Sequence, residues 1–145
     1  MQITIEVNVA APIEEVWKAW TSPADIQQWN AASEDWHCPS AEIDLSPGGK
    51  FSYRMEAKDG SMGFDFVGTF TKVVPNELIE FSLEDERLVS VEFAESDDSA
   101  TVRESFDAES TNSGEQQRQG WQAILDRFAR HVEAKKGSSG VFHGI

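Results

Sequence analysis

Residues 113–136 read SGEQQRQGWQAILDRFARHVEAKK and form the one long stretch of the chain with an unbroken helical period. Its apolar side chains recur at intervals of three and four residues, so they share one face of a helix. This face comprises Gln117, Trp121, Ile124, Leu125, Phe128 and Val132. Ser113 and Gln116 have the spacing of a capping box, and Gly137 is a typical C-terminal stop. Such a helix, of about 22 residues, would be roughly 33 Å long and would cross a small domain.

The chain before this helix consists mainly of segments in which apolar and polar residues alternate, as they do in half-buried strands. These segments start near Ile3, Ala41, Phe51, Phe64, Ile79, Val89 and Val102. Pro12 and Pro23 open two short helices after the first strand, and residues 30–39 are expected to form a loop. Short turns between the strands favour an antiparallel meander. The sequence therefore predicts an α+β domain that ends in the long helix.

The length of 145 residues fits one domain, which we expect to span residues 1–136, followed by a flexible tail at residues 137–145. Cys38 is the single cysteine, so no internal disulfide can form, and this fits a reducing compartment. The sequence has no apolar run of membrane-spanning length and no signal peptide pattern. We therefore expect a cytoplasmic protein.

The formal net charge of −14 argues against binding to nucleic acids or to anionic membranes. The acids are concentrated between Glu77 and Glu115, where 13 acidic residues accompany only two basic ones. This region is interpreted as a solvated face of the sheet, or alternatively as a docking surface for a basic protein partner. The expected oligomeric state is a monomer or a weak homodimer.

The sequence contains no metal-ligand spacing among its three histidines, no phosphate-binding loop and no dinucleotide fingerprint. No cofactor or metal is therefore expected. The segment from Asp35 to Cys38 combines a carboxylate, an indole, an imidazole and a thiol. Trp36 is interpreted either as a plug at the edge of the core or, with His37, as a gate for a ligand. Activation of Cys38 by His37 is disfavoured, because neighbours in an extended chain point apart.

Three further residues break the pattern of a simple core. Glu104 shares the parity of Val102 and Phe106, so it is expected to face the apolar side, unless a bulge reverses that parity. Gln117 lies on the apolar face of the long helix as a neutral hydrogen-bonding group. Gly120 costs roughly 1 kcal/mol relative to alanine in a helix interior, so it suggests the close approach of another element or of a ligand.

Four segments, in order, resemble the SRPBCC (START and birch-pollen-allergen-like) superfamily, and more narrowly the bacterial homologues of the activator of the heat-shock protein 90 ATPase. They are VAAPIEEVWKAWTSPADIQQW (9–29), DLSPGGKFSYRM (44–55), GTFTKVVPNELIEFSL (68–83) and GWQAILDRF (120–128). The resemblance implies a helix-grip fold, in which a curved antiparallel sheet of about six to seven strands wraps around the long C-terminal helix. Two short helices follow the first strand, and a cavity separates sheet and helix.

The resemblance implies cofactor-free binding of a hydrophobic or amphipathic small molecule in this cavity, and the many aromatic residues of the strands suit such walls. The candidate ligand-binding residues are Trp36, His37, Tyr53, Phe66, Phe81, Glu104, Gln117 and Trp121. Two alternatives stay open. One is a polyketide cyclase- or dehydratase-like enzyme with Glu104 or His37 as acid or base. The other is a chaperone-associated interaction module, although the chain has no room for the additional N-terminal domain of the eukaryotic activator.

Overall fold

The computed structural model describes the backbone of residues 1–143 and the side chains of residues 1–135. Ten elements follow one another along the chain. They are β1 (Gln2–Val9), α1 (Ile13–Thr21), α2 (Pro23–Trp29), β2 (Trp36–Ile43), β3 (Lys50–Ala57), β4 (Gly63–Val74), β5 (Leu78–Leu83), β6 (Leu88–Ser96), β7 (Ser99–Asp107) and α3 (Gly114–His143).

The seven strands form one antiparallel sheet in the order β1-β7-β6-β5-β4-β3-β2. Strands β2 to β7 are consecutive neighbours, so short turns are sufficient to connect them. Helices α1 and α2 carry the chain across from β1, which pairs with β7 at one edge, to β2 at the other edge. The sheet curls into a half-barrel that holds α3. This confirms the predicted α+β helix-grip fold.

The middle of α3, around Phe128, forms the solid part of the core. Phe128 is fully buried and makes edge contacts with Trp20 of α1 and Trp29 of α2, at ring distances of 4.9 and 5.0 Å. Such aromatic pairs add about 0.5–1.5 kcal/mol each to the free energy gained from burial. This part of α3 is therefore held firmly against the two short helices.

An ionic contact joins α2 to α3 near the surface of the core. Asp25 of α2 is only 5% exposed. Its Oδ1 lies 2.8 Å from Nε2 of His131 and 2.7 Å from Nζ of Lys135, both on α3. Burial favours the neutral acid, but the hydrogen bonds from Lys135 and His131 outweigh it and hold the pKa of Asp25 below its usual value.

The start of α3 agrees with the sequence, and its end does not. The Gln116 amide donates to Ser113 Oγ at 3.1 Å, and the Ser113 amide donates to Gln116 Oε1 at 3.2 Å, which is the predicted capping box. The helix then continues beyond Gly137 to His143. A glycine weakens a helix without removing a backbone hydrogen bond, so it does not have to end one. Flexibility of residues 137–145 stays a prediction, because residues 144–145 and the side chains from 136 onward lie outside the described residues.

Residues 30–39 differ from the expected loop, because strand β2 begins among them at Trp36. Trp36 begins β2 and pairs with Ala57 of β3, and the register shifts between His37 and Ser40. Pro39 lies within this irregularity on an edge strand, which is where a sheet tolerates proline. The irregular pairing removes the alternation of apolar and polar residues, so the sequence gives no strand signal here.

Candidate functional site

A pocket of about 510 Å³ lies between the concave face of the sheet and the N-terminal half of α3. This volume is within the range of small-molecule sites. Its lining combines large apolar side chains with a few polar ones. The lining residues are Trp20, Trp29, Asn30, Ile43, Phe51, Tyr53, Met55, Phe64, Phe66, Phe70, Ile79, Phe81, Arg87, Glu104, Glu109, Asn112, Gln116, Gln117, Gly120, Trp121, Ile124 and Leu125.

Contacts between rings fix the aromatic walls of the pocket. Trp121 of α3 stacks on Phe106 of β7 at 3.9 Å and meets the edge of Phe66 of β4 at 6.2 Å. Phe51 lies at the centre of the opposite wall, and its ring covers Gly68 so closely that any Cβ at position 68 would overlap it. These side chains are held by their neighbours, so the walls form without a ligand.

Glu104 lies in the wall built by β7, with apolar residues on either side of it. It pairs in register with Ile5 of β1 and Val91 of β6, and neither pairing shifts along β7. No bulge reverses its parity, and its side chain is only 7% exposed. Among residues 1–135 it has no hydrogen-bond or ionic partner, and burial raises its pKa to about 8. The pocket therefore contains a carboxyl group that is mainly protonated at neutral pH.

Tyr53 provides a second polar group in a wall far from Glu104. Its ring stacks on Phe51 at 4.7 Å, and burial raises the pKa of its phenol above the usual value. No hydrogen bond to its hydroxyl is found within the described part of the chain. Four strand spacings separate β3 from β7, or about 19 Å along the curved sheet. The two groups therefore mark opposite walls of the pocket.

Gln117 also lines the pocket, but its amide is occupied by the loop between β7 and α3. Its Oε1 accepts from the Glu109 amide at 2.8 Å. Its Nε2 donates to the carbonyl oxygens of Glu109 and Asn112 at 3.1 and 2.9 Å. Through these hydrogen bonds Gln117 stabilises the loop. The sequence pattern showed that the side chain faces inward and did not show this local use.

Gly120 faces the pocket from α3. Apart from its two chain neighbours and its own helix backbone, no atom of the described residues would lie within 4 Å of a methyl group at this position. No other element in the described part of the chain therefore approaches it, in contrast to Gly68, which Phe51 covers. The open space beside Gly120 belongs to the pocket.

Trp36 and His37 lie outside the pocket lining, as far as residues 1–135 define it. The rings of Trp36 and Phe64 are in contact, with their centroids 6.0 Å apart. His37 Nε2 lies 3.7 Å from Glu56 Oε1 at the surface of the edge strand. The proposed ligand gate assumed that Trp36 and His37 lie in a loop, but both residues belong to strand β2. Cys38 next to them is buried, and burial raises the pKa of its thiol to about 11, which opposes a nucleophilic role.

The remaining six predicted residues line the pocket: Tyr53, Phe66, Phe81, Glu104, Gln117 and Trp121. Sequence reasoning missed Arg87, which reaches the pocket from the turn between β5 and β6. Its Nε donates to Asp85 Oδ2 at 2.7 Å. It also missed Asn112 and Gln116, which are exposed residues at an opening of the pocket. No periodic signal identifies Arg87 and Asn112, which enter the pocket from outside the strands and helices, and Gln116 lies in the first turn of α3, off its apolar face.

Within the residues that the structure describes, no group of three or more His, Cys, Asp or Glu side chains is placed to hold a metal ion. No helix among residues 1–143 has the length and apolar character needed to cross a membrane.

Comparison with known proteins identifies relatives over nearly the whole chain. The AHSA1-like protein from Aeromonas hydrophila is 48% identical, with a TM-score of 0.88 and 94% of each chain covered. Chr148 from Cytophaga hutchinsonii is also 48% identical, with a TM-score of 0.80 and 94% of each chain covered. NE0264 from Nitrosomonas europaea shares the fold at 17% identity, with a TM-score of 0.78, 94% of this chain covered and 97% of that chain.

No curated protein sequence matches the chain significantly. The model of the family described as "Activator of Hsp90 ATPase homolog 1-like protein" matches residues 10–133. Proteins with the fold of this family commonly bind hydrophobic ligands. The chain therefore belongs to the Activator of Hsp90 ATPase homolog 1-like family, within the SRPBCC superfamily.

Proposed function

We propose that this protein binds a hydrophobic or amphipathic small molecule, without a cofactor, in the pocket between the sheet and α3. The observation that carries the proposal is a pocket of about 510 Å³ whose aromatic walls are fixed by their own packing. Burial of apolar ligand surface against such walls is favourable by roughly 25 cal/mol per Å². A preformed wall also avoids the cost of ordering side chains on binding.

Gly120 supports the same proposal from the side of the helix. Glycine in a helix interior costs roughly 1 kcal/mol relative to alanine. Packing among the described residues does not require a glycine here, because no atom beyond its own helix backbone and its chain neighbours would lie within 4 Å of a methyl group at this position. Space for a ligand gives a physical reason for the residue, since a larger side chain would project into the pocket.

The proposal is tested first by extracting the natively purified protein and identifying any bound small molecule by mass spectrometry. Binding of diphenylmethane is then followed by protein NMR in wild type and in Gly120→Leu. The leucine should fill part of the pocket and weaken binding at least about tenfold, while the fold is retained. Gln119→Leu is the matched control, because it adds the same side chain to the exposed face of the same helix turn. Equal binding by wild type and Gly120→Leu would contradict a ligand site beside Gly120.

An enzymatic function is the second candidate, and the raised pKa of Glu104 is the observation that favours it. A carboxyl group protonated near neutral pH is able to act as a general acid, as a dehydratase or cyclase requires. A dehydratase or cyclase would also need a base close to this acid. Tyr53, the second polar group described above, lies in the opposite wall instead. We therefore rank binding above catalysis. Turnover of a polyketide-like substrate that is lost in Glu104→Gln, with the fold intact, would reverse this order.

A protein partner is the third candidate, and the family description of a chaperone ATPase activator motivates it. Most acids between Glu77 and Glu115 are exposed, so this surface suits a basic partner in the cytoplasm. Such an association should weaken steeply as salt rises from about 0.05 to 0.5 M. A complex with the chaperone that is insensitive to salt would not use this surface. The expectation of a monomer or weak homodimer is checked in the same samples by sedimentation.

A further inference from the structure

The unused hydrogen-bonding capacity of Glu104 gives information about the chemistry of the ligand. The side chain is 7% exposed and lines the pocket, and its carboxyl group bonds to none of the residues 1–135. Buried polar groups in proteins are nearly always paired, so an unpaired one inside a pocket indicates a partner that arrives with the ligand.

The surroundings of Glu104 decide which protonation state the ligand meets. The adjacent residues across the sheet are Ile5 and Val91, and its same-face neighbour Phe106 is covered by Trp121. None of these carries a charge that would stabilise a carboxylate. Burial therefore keeps the acid neutral near pH 7, and a neutral carboxylic acid offers one O–H donor.

We propose that the pocket selects ligands that carry a carbonyl oxygen within an apolar body, and that Glu104 donates a hydrogen bond to this oxygen. This inference rests on the proposed function and names the class of ligand. The apolar body lies against Trp121 and Phe66, beside the open space at Gly120.

A cationic ligand is the obvious competitor, because an ionised Glu104 would pair with an amine. That pairing would move both a carboxylate and an ammonium group out of water into an apolar pocket, and the cost of this desolvation often exceeds the attraction between the charges. Hydrogen bonding of a neutral acid to a carbonyl desolvates no charge. The apolar surroundings of Glu104 therefore favour the carbonyl.

The test compares benzophenone with diphenylmethane, two diaryl compounds that differ in whether a carbonyl or a methylene joins the rings. Their dissociation constants are measured by protein NMR at pH 6.5 for wild type, Glu104→Gln and Glu104→Met. Wild type should prefer benzophenone by about fivefold, the effect of one net hydrogen bond. Glu104→Gln keeps a neutral N–H donor and should keep most of this preference. Glu104→Met has a similar size and no donor, so it should bind both compounds equally.

The outcomes separate this inference from the proposed function. Binding of both compounds with no preference in wild type would leave the pocket as a ligand site and overturn the inference. An undiminished preference of Glu104→Met for benzophenone would overturn it as well. So would tighter binding of the cationic analogue diphenylmethanamine, which carries an amino group on the carbon between the rings, than of benzophenone. Failure of wild type to bind either compound would overturn the proposed function and this inference together. All three proteins are first checked for the same fold by their NMR spectra.

Discussion

Glu104 and Asp25 are both buried carboxyl groups, but their surroundings shift their pKa values in opposite directions. Asp25 has His131 and Lys135 within hydrogen-bond distance, so its charged form is favoured. Glu104 has the apolar residues Ile5 and Val91 as its cross-strand neighbours, and burial favours its neutral form. A pKa that differs between the folded and the unfolded chain makes the free energy of unfolding depend on pH. Each of the two residues should therefore change the stability in its own pH range.

Glu104 should make the protein less stable in alkali. Its folded pKa of about 8 lies above the reference value of 4.5, so the folded chain binds more protons between these values and stability falls as pH rises through this window. Urea unfolding should show a loss on the order of 2–5 kcal/mol between pH 5 and pH 9. Glu104→Gln should remove most of this loss, whereas Glu92→Gln, at an exposed position on β6, should not. A wild-type slope that survives in Glu104→Gln would contradict the assignment.

Asp25 should act at the acid end. Its folded pKa lies below the reference value of 3.8, so the stabilisation is present above pH 4 and is lost as pH falls through the folded pKa. Asp25→Asn should lower the free energy of unfolding at pH 7 by about 1–3 kcal/mol, since it weakens hydrogen bonds to two basic side chains, one of them more than half exposed. The variant should also lose part of the wild-type dependence on acid. In a double-mutant cycle with Lys135→Met, additive effects would argue against a coupled contact.

At the scale of elements, α3 is divided between two tasks. Its middle packs Phe128 against α1 and α2, and the turns before it present Gly120 and Trp121 to the pocket. Gln117 lies at the boundary with the preceding loop, which it fastens by hydrogen bonds at both ends of its amide. Gln117 therefore connects the pocket wall on α3 to the loop that carries Glu109 and Asn112.

Gln117→Leu should loosen that loop without unfolding the domain. The leucine is of similar size but cannot bond to the backbone of Glu109 and Asn112, so stability should fall by about 1–3 kcal/mol. The sharper measurement is hydrogen exchange of the Glu109 amide, which donates to Gln117 and should exchange at least tenfold faster in the variant. Gln119→Leu, on the exposed side of α3, serves as the control. Unchanged protection of the Glu109 amide would show that the loop is held by other contacts.

The elements also show which features a sequence pattern can predict. Alternation identified β3 to β7, and the capping box fixed the start of α3, because each rests on residues close together in the chain. The strand expected from Ala41 overlaps the end of β2, but the first part of β2 was missed because a register shift near Pro39 breaks the alternation. The end of α3 was misplaced because a stop at Gly137 depends on its backbone conformation as well as on residue type.

At the scale of the whole molecule, the site is only partly visible in the sequence. Parity was sufficient to place Tyr53 and Glu104 on the concave face, since a strand has just two faces. Trp36 and His37 lie outside the described pocket lining, in an edge strand that local patterns do not show. Arg87 comes from a turn, and its approach to the pocket follows from the curvature of the entire sheet. Predicting it would require the tertiary structure.

The net charge of −14 is another property of the whole molecule, and it should limit stability at low salt. Like charges repel more strongly in the compact state, so raising NaCl from about 0.01 to 0.3 M should raise the melting temperature by a few degrees through screening. Glu84→Lys with Glu95→Lys changes two exposed positions, and because each exchange moves the charge by two units, the formal charge goes from −14 to −10. This double variant should melt higher than wild type at low salt and should respond less to added salt. Equal salt responses of the two proteins in scanning calorimetry would show that repulsion among the surface acids does not limit stability.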